Sequence, residues 1–266
     1  MELVNLTAEQ FSLVYNMLSL AIASMIASFA FFVMARQQVA ARFRPALVMS
    51  ALVVGIAGYH YWRIFESWGH AYNLETIDGV ATYVASGEPF NDAYRYVDWL
   101  LTVPLLVAEL VAVMTLAKGK RGPMMAKLAI ASALMIALGY PGEIAPATDI
   151  ASKVGWGVAS SVPFCYILYV LWVELNQAAK TESGEVQVLL RNIRLLLLGT
   201  WGFYPISYIL SFVVGTSAWG IVGVQVGYSI SDIAAKCGYG IMIYAIARAK
   251  MAAEDGIEDA HAAPAK

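Results

Sequence analysis

Asp92–Leu110 reads DAYRYVDWLLTVPLLVAEL. Past its first few residues it is an apolar run, yet it carries Arg95, Asp98 and Glu109. A helix that crosses a bilayer needs about 20 mostly apolar residues. An ionisable side chain at its centre costs on the order of 3 kcal/mol, so each such residue marks a candidate functional site. Asp98 and Thr102 are one helical turn apart. Asp98 and Glu109 are separated by eleven residues, about three turns, and so share one face. The rise between these two carboxyl positions is about 16 Å, too far for an acid–base dyad. It suits two stations on a path across a membrane. Pro104 lies between them, removes a backbone donor and is expected to bend the helix.

The rest of the chain agrees with this reading. Of 266 residues, 60% are hydrophobic and only 14% charged, and the mean hydropathy is +0.64. A soluble domain of this length needs more surface charge. The net charge of −2 gives no reason to expect a nucleic-acid partner. Cys165 and Cys237 both sit in apolar runs, where buried cysteine is the plain reading. No disulfide framework and no metal-ligand spacing is present. The N-terminus MELVNLTAEQ lacks a basic n-region and a cleavage site, so no cleaved signal peptide is expected.

Apolar runs predict an all-α, seven-transmembrane-helix bundle over 1–250. Helix A is expected near 12–35, B near 45–65, C near 91–117, D near 123–142, E near 154–178, F near 189–214 and G near 218–249. The tail 251–266, acidic and Ala-rich from Glu254, is expected to be disordered. Positive charge collects in alternate loops: Arg36, Arg42 and Arg44; Lys118, Lys120 and Arg121; Lys180, Arg191 and Arg194; Arg248 and Lys250. The B–C loop is acidic, with Glu66, Glu75, Asp78, Glu88 and Asp92. The positive-inside rule then puts the N-terminus outside and the C-terminus in the cytoplasm, which an odd helix count satisfies. In that orientation Arg95 and Asp98 lie towards the outside and Glu109 towards the cytoplasm.

Helix G reads GYSISDIAAKCGYGIMIYAIA over 227–247. Asp232 and Lys236 are one turn apart on one face. A structural ion pair would account for these two but leaves Arg95, Asp98 and Glu109 unexplained. A lysine amine in a dry pocket is also what Schiff-base chemistry with an aldehyde requires. The resulting buried cation would take Asp98 and Asp232 as counter-ions.

These residues give the chain a recognisable likeness. RYVDWLLTVPLL at 95–106 with Glu109 beyond it, SDIAAK at 231–236, WGFYP at 201–205, YHYWR at 59–63 and GYPGE at 139–143 resemble the microbial rhodopsins, specifically the proteorhodopsin and xanthorhodopsin branch. The likeness runs from helix A to the end of G. It implies a light-driven outward proton pump of the plasma membrane, a transporter rather than an enzyme, with all-trans retinal on Lys236 as a protonated Schiff base. Asp98 is then the primary counter-ion and proton acceptor. Asp232 is the second counter-ion, held by Tyr61 and Tyr204. Arg95 stabilises both carboxylates from the extracellular side, and Glu109 is the cytoplasmic donor that burial keeps protonated. Thr102 lies close to the Schiff base. The implied pocket is Trp99, Thr102, Leu106, Met135, Gly139, Phe164, Trp201, Tyr204 and Pro205, although aromatic and Met residues also serve ordinary helix packing. Apolar Leu106 resembles the green-absorbing members.

His60 matches the histidine that pairs with the acceptor carboxylate in this branch, which implies an Asp98–His60 hydrogen bond and coupled titration. Gly157, within WGVASSVPF at 156–164, occupies the place where a glycine opens a window beside the retinal ring in xanthorhodopsin-like proteins. A hydroxylated carotenoid antenna is thereby implied as a second cofactor; close helix packing is the other use of such a glycine. Relatives form pentamers or hexamers, so a homo-oligomer in membrane lipid is expected. A sodium pump would carry Asn at 98 and Gln at 109, and a chloride pump a neutral residue at 98. A photosensor often lacks the carboxylic donor. A proton-coupled transporter without a chromophore would carry inverted repeats and broken helices.

Overall fold

The computed structural model describes residues 3–116, 119–146, 148–182, 184–213 and 217–262. Helix α1 (Ala8–Ala35) begins at a capping box, in which the Thr7 hydroxyl accepts from Gln10 N and Gln10 Oε1 accepts from Thr7 N. Helix α2 spans Arg44–His70, with proline at its start. Then follow α3 (Tyr94–Val113), α4 (Arg121–Ile144) and α5 (Ile150–Thr181). The expected sixth helix is two pieces, α6 (Gly184–Trp201) and α7 (Phe203–Val213). The seventh is α8 (Ala218–Asp232), a π-helical turn (Ile233–Gly238) and α9 (Tyr239–Ala262). Successive rods pack side by side, and α8 closes the bundle against α1.

Six of the seven rods are long and apolar enough to cross a membrane. The sixth is not, for a local reason. The break at Gly202 leaves α6 as 18 residues that include Glu185, Arg191 and Arg194. The outer surface carries an apolar belt, with Ile26, Val158, Val162 and Tyr169 exposed. A surface of this kind is stable against lipid rather than water. Cys165 belongs to that exposed face, which corrects the expectation that both cysteines are buried; only Cys237 is.

Three further details differ from the sequence reading. Helix α3 stops at Val113 rather than near 117, with Met114 already extended. Helix α9 continues to Ala262, through most of the stretch expected to be disordered. The acidic B–C loop is a hairpin, β2 (Tyr72–Ile77) with β3 (Val80–Ala85), turning at Asp78–Gly79 with both residues at positive φ. A short β1 (Leu6–Thr7) pairs with β3. The Asp-Gly dipeptide between alternating residues is the signal that identifies such a turn. Lys118 lies outside the described residues.

Candidate functional site

The site is a buried charge cluster at one end of an apolar cavity. Lys236 lies in the π-helical turn, where Tyr239 N–H reaches back five residues to Ala234 O. Such turns insert an extra residue into a helix and re-aim its side chains. Lys236 Nζ donates to Asp232 Oδ1 at 2.6 Å and lies 3.0 Å from Asp98 Oδ2. All three side chains are at most 2% exposed. One cation between two carboxylates leaves a net negative charge that only further donors can offset. Asp232 has them: Tyr61 Oη donates to Oδ2 at 2.7 Å and Tyr204 Oη to Oδ1 at 2.5 Å. Asp98 does not. Neither of its carboxylate oxygens has a well-directed hydrogen bond among the described residues, and only the lysine is in ion-pair range. The two carboxylates are therefore unequal. Asp232 is fully engaged, and Asp98 keeps lone pairs open to a proton.

Thr102, one turn from Asp98, spends its hydroxyl on Asp98 O at 2.9 Å. Arg95 is buried but turned outward. Its Nη2 donates to Gln225 Oε1 at 2.7 Å, Nη1 lies 3.5 Å from Asp92 Oδ2, and the guanidinium stacks 4.8 Å from the Tyr228 ring. It makes no ion pair with Asp98 or Asp232 among the described residues, so any stabilisation of these carboxylates acts through space. Gln225 completes the chain outward by donating to Asp92 Oδ2 at 3.0 Å. Sequence reading missed Gln225, although an amide in an apolar run of helix G is a usable signal.

The expected Asp98–His60 hydrogen bond is also absent among the described residues. His60 Nδ1 lies 2.9 Å from Ile56 O, one turn back on its own helix. A backbone carbonyl is always available at that spacing, and it holds the ring nitrogen. Glu109 is fully buried. The Ser50 hydroxyl donates to its Oε2, while Oε1 has no partner among the described residues. Ser50 was another omission, marked only by a hydroxyl in the apolar run of helix B.

The cavity is lined by Trp99, Leu106, Met135, Gly139, Phe164, Trp201, Tyr204, Pro205 and Gly157, with Lys236 at one end. Thr102 is buried beside it rather than lining it. Tyr96, Ser160, Tyr208 and Tyr228 join the lining and were not foreseen. The break in the sixth rod shapes this wall. Pro205 has no N–H for the Trp201 carbonyl. A Cβ at Gly202 would stand 2.7 Å from Leu198 O. Together they turn the chain so that Trp201 and Tyr204 both face inward. At Gly157 a Cβ would meet Tyr208 Cε1 at 2.9 Å, so a phenol ring covers that glycine. A mostly apolar, aromatic-lined cavity with a buried amine in its wall could hold an apolar aldehyde joined to Lys236. Among the described residues no cluster of metal-ligating side chains occurs.

Comparison with known proteins agrees with the geometry. Xanthorhodopsin, described as a light-driven ion pump with dual chromophore, superposes with a TM-score of 0.88 at 53% identity, covering 96% of this chain and 99% of that one. A thermophilic rhodopsin gives 0.88 at 51% identity, covering 95% and 99%. The green-light absorbing proteorhodopsin of Gamma-proteobacterium EBAC31A08 is 29% identical over 226 residues, 85% of this chain and 82% of its own. A family model described as bacteriorhodopsin-like protein matches residues 12–250, and the chain belongs to that family of multi-pass membrane proteins.

Proposed function

We propose that the protein is a light-driven outward proton pump carrying all-trans retinal on Lys236, with the N-terminus outside and the C-terminus in the cytoplasm. The observation that carries this is the Lys236 amine held between a saturated Asp232 and an open Asp98 at the end of an apolar cavity. Retinal, when bound, supplies light absorption and a change of shape beside the lysine nitrogen.

The residues then divide the work. Asp232, with two tyrosine hydroxyls and the lysine, stays a fixed negative charge. Asp98 accepts the proton of the Lys236 nitrogen, because its oxygens have nothing else to accept. Arg95, Gln225 and Asp92 form the outward polar chain. Side-chain exposure rises from 1% at Asp98 through 2% at Arg95 to 16% at Asp92, which gives the path a direction towards water. Glu109, held by Ser50 in a dry environment, returns a proton to the lysine nitrogen and refills from the cytoplasm.

Gly157 supports a second chromophore: a hydroxylated carotenoid lying against it from the lipid side, as the dual chromophore of xanthorhodopsin suggests. Tyr208 is the ring it would meet. A ring of five or six copies in the plasma membrane is the assembly we propose, on the family resemblance.

The test is light-induced pH change in cells expressing the chain with retinal. Acidification that a protonophore abolishes is expected, with Asp98→Asn inactive and Glu109→Gln pumping slowly. Undiminished pumping in Asp98→Asn would overturn the assignment.

A further inference from the structure

One polar cluster plays no part in that mechanism. Lys250 Nζ donates to Glu182 Oε1 at 2.7 Å and to Thr115 Oγ1 at 2.5 Å, and Thr115 Oγ1 donates to the same Glu182 oxygen at 2.6 Å. The three residues close a triangle. Each comes from a different element: Thr115 from just beyond α3, Glu182 from the step between α5 and α6, and Lys250 from α9. Lys250 is only 8% exposed in its side chain. A lysine so covered, with its charge matched and its hydrogen bonds directed, fixes one arrangement of the three ends.

What lies beneath gives this arrangement its meaning. Glu109 is four residues from the last residue of α3, about 6 Å of helical rise. The space towards that end is dry: Leu110, Val113, Met114, Leu175, Ile243 and Ile246 are at most 1% exposed and belong to one apolar cluster. On α9, Tyr239, Ile243, Ile246 and Lys250 follow at spacings of four, three and four, one continuous stripe. Lys250 is therefore the polar end of the same face that seals Glu109. Arg121 Nη2 adds a bond to Met114 O at 3.3 Å and ties the end of α3 to α4.

Resting on the pump reading, we propose that the Thr115–Glu182–Lys250 triangle is a lock on the cytoplasmic proton entry, which must part before Glu109 can be refilled. A paired and bonded carboxylate holds its charge and stores no proton, so Glu182 acts as a fastener and not as a relay. The element it fastens can move. Glu182 caps the end of α5, two residues before α6 begins, and the rod of α6 and α7 is interrupted at Gly202 and Pro205. Displacing α6 would draw Glu182 away from Lys250 and open the apolar plug to water.

The test uses retinal-bound protein in lipid nanodiscs, excited by a flash. Proton uptake is followed with an indicator dye and Asp98 protonation by infrared absorption. Glu182→Gln and Lys250→Met are expected to shorten the uptake phase about 3- to 10-fold, the size of one charge-assisted bond at a partly exposed site. The rate of Asp98 protonation should stay unchanged. The exchanged pair Glu182→Lys with Lys250→Glu should restore slow uptake. Thr115→Val keeps the ion pair and should give an intermediate rate. Without light, amide hydrogen exchange across 110–115 should rise in Glu182→Gln. Uptake that is unaltered or slower in the single variants overturns the lock, as does an equal change in both phases. A wild-type protein that takes up no proton in light overturns the pump reading and the lock with it, whereas pumping with unaltered uptake in the variants overturns the lock alone.

Discussion

Removing the Tyr61 hydroxyl should destabilise the protein more than removing that of Tyr204. Both tyrosines donate to Asp232, but to different oxygens. Oδ1 accepts from Tyr204 at 2.5 Å and also from Lys236 at 2.6 Å. Among the described residues Oδ2 accepts from Tyr61 alone, at 2.7 Å. Tyr204→Phe leaves Oδ1 with a charge-assisted partner. Tyr61→Phe leaves Oδ2 bare in a fully buried carboxylate, since the one hydroxyl hydrogen serves Oδ2 at 2.7 Å rather than Tyr228 O at 3.2 Å. A hydrogen bond to a charged group contributes about 1.5–3 kcal/mol, and a neutral one about 1 kcal/mol. Tyr61→Phe should therefore cost about 1.5–3 kcal/mol, and Tyr204→Phe about 1 kcal/mol because Lys236 still serves Oδ1. The assay is equilibrium unfolding in mixed detergent with rising SDS, read by helical circular dichroism. A Tyr204→Phe protein as unstable as Tyr61→Phe, or more so, would show that the two carboxylate oxygens are not divided as described.

Two further outcomes follow from other parts of the molecule. Gly157→Phe puts a ring where even a Cβ stands 2.9 Å from Tyr208. It should abolish energy transfer from an added carotenoid, seen in the fluorescence excitation spectrum, while the retinal band persists; transfer surviving the substitution would refute the window. Glu182 lies outside the membrane-spanning helices. Its burial works to raise the carboxyl pKa, but the bonds from Lys250 and Thr115 prevail and hold it below the usual value. A depressed folded-state pKa adds stability that is fully present above the unfolded value, about 4.3, and is lost as pH falls through the folded one. The stability difference between wild type and Glu182→Gln should shrink in acid below about pH 4, and a difference independent of pH there would contradict the pairing.

How much was legible in the sequence depended on which interactions a spacing can encode. The helical rods were, because a span must be apolar for about 20 residues whatever it packs against. Lys236, Asp98, Asp232 and Glu109 stood out because a charge inside such a span is costly, and the structure buries all four. What escaped was the choice of partner. Arg95 was expected to stabilise the counter-ions, but that its guanidinium reaches Gln225 and Asp92 could not be read from spacing. A long side chain can point up or down its helix, and only the amide on a distant helix decides which. His60 was expected on Asp98 but rests on Ile56 O, a carbonyl of its own helix that no motif announces. Ser50 went unnoticed because one hydroxyl in an apolar run costs little, and it gains meaning only when α3 sets Glu109 opposite it. The break at Gly202 lay within a motif that had been read for its aromatic residues. Its backbone role appears in the 2.7 Å separation that a Cβ would have from Leu198 O. Long-range pairing across helices thus separates a list of ionisable residues from a path. Here it divides Asp98 from Asp232: the same residue type stands on each side of Lys236, and two tyrosines from α2 and α7 leave only one of the two free to accept a proton.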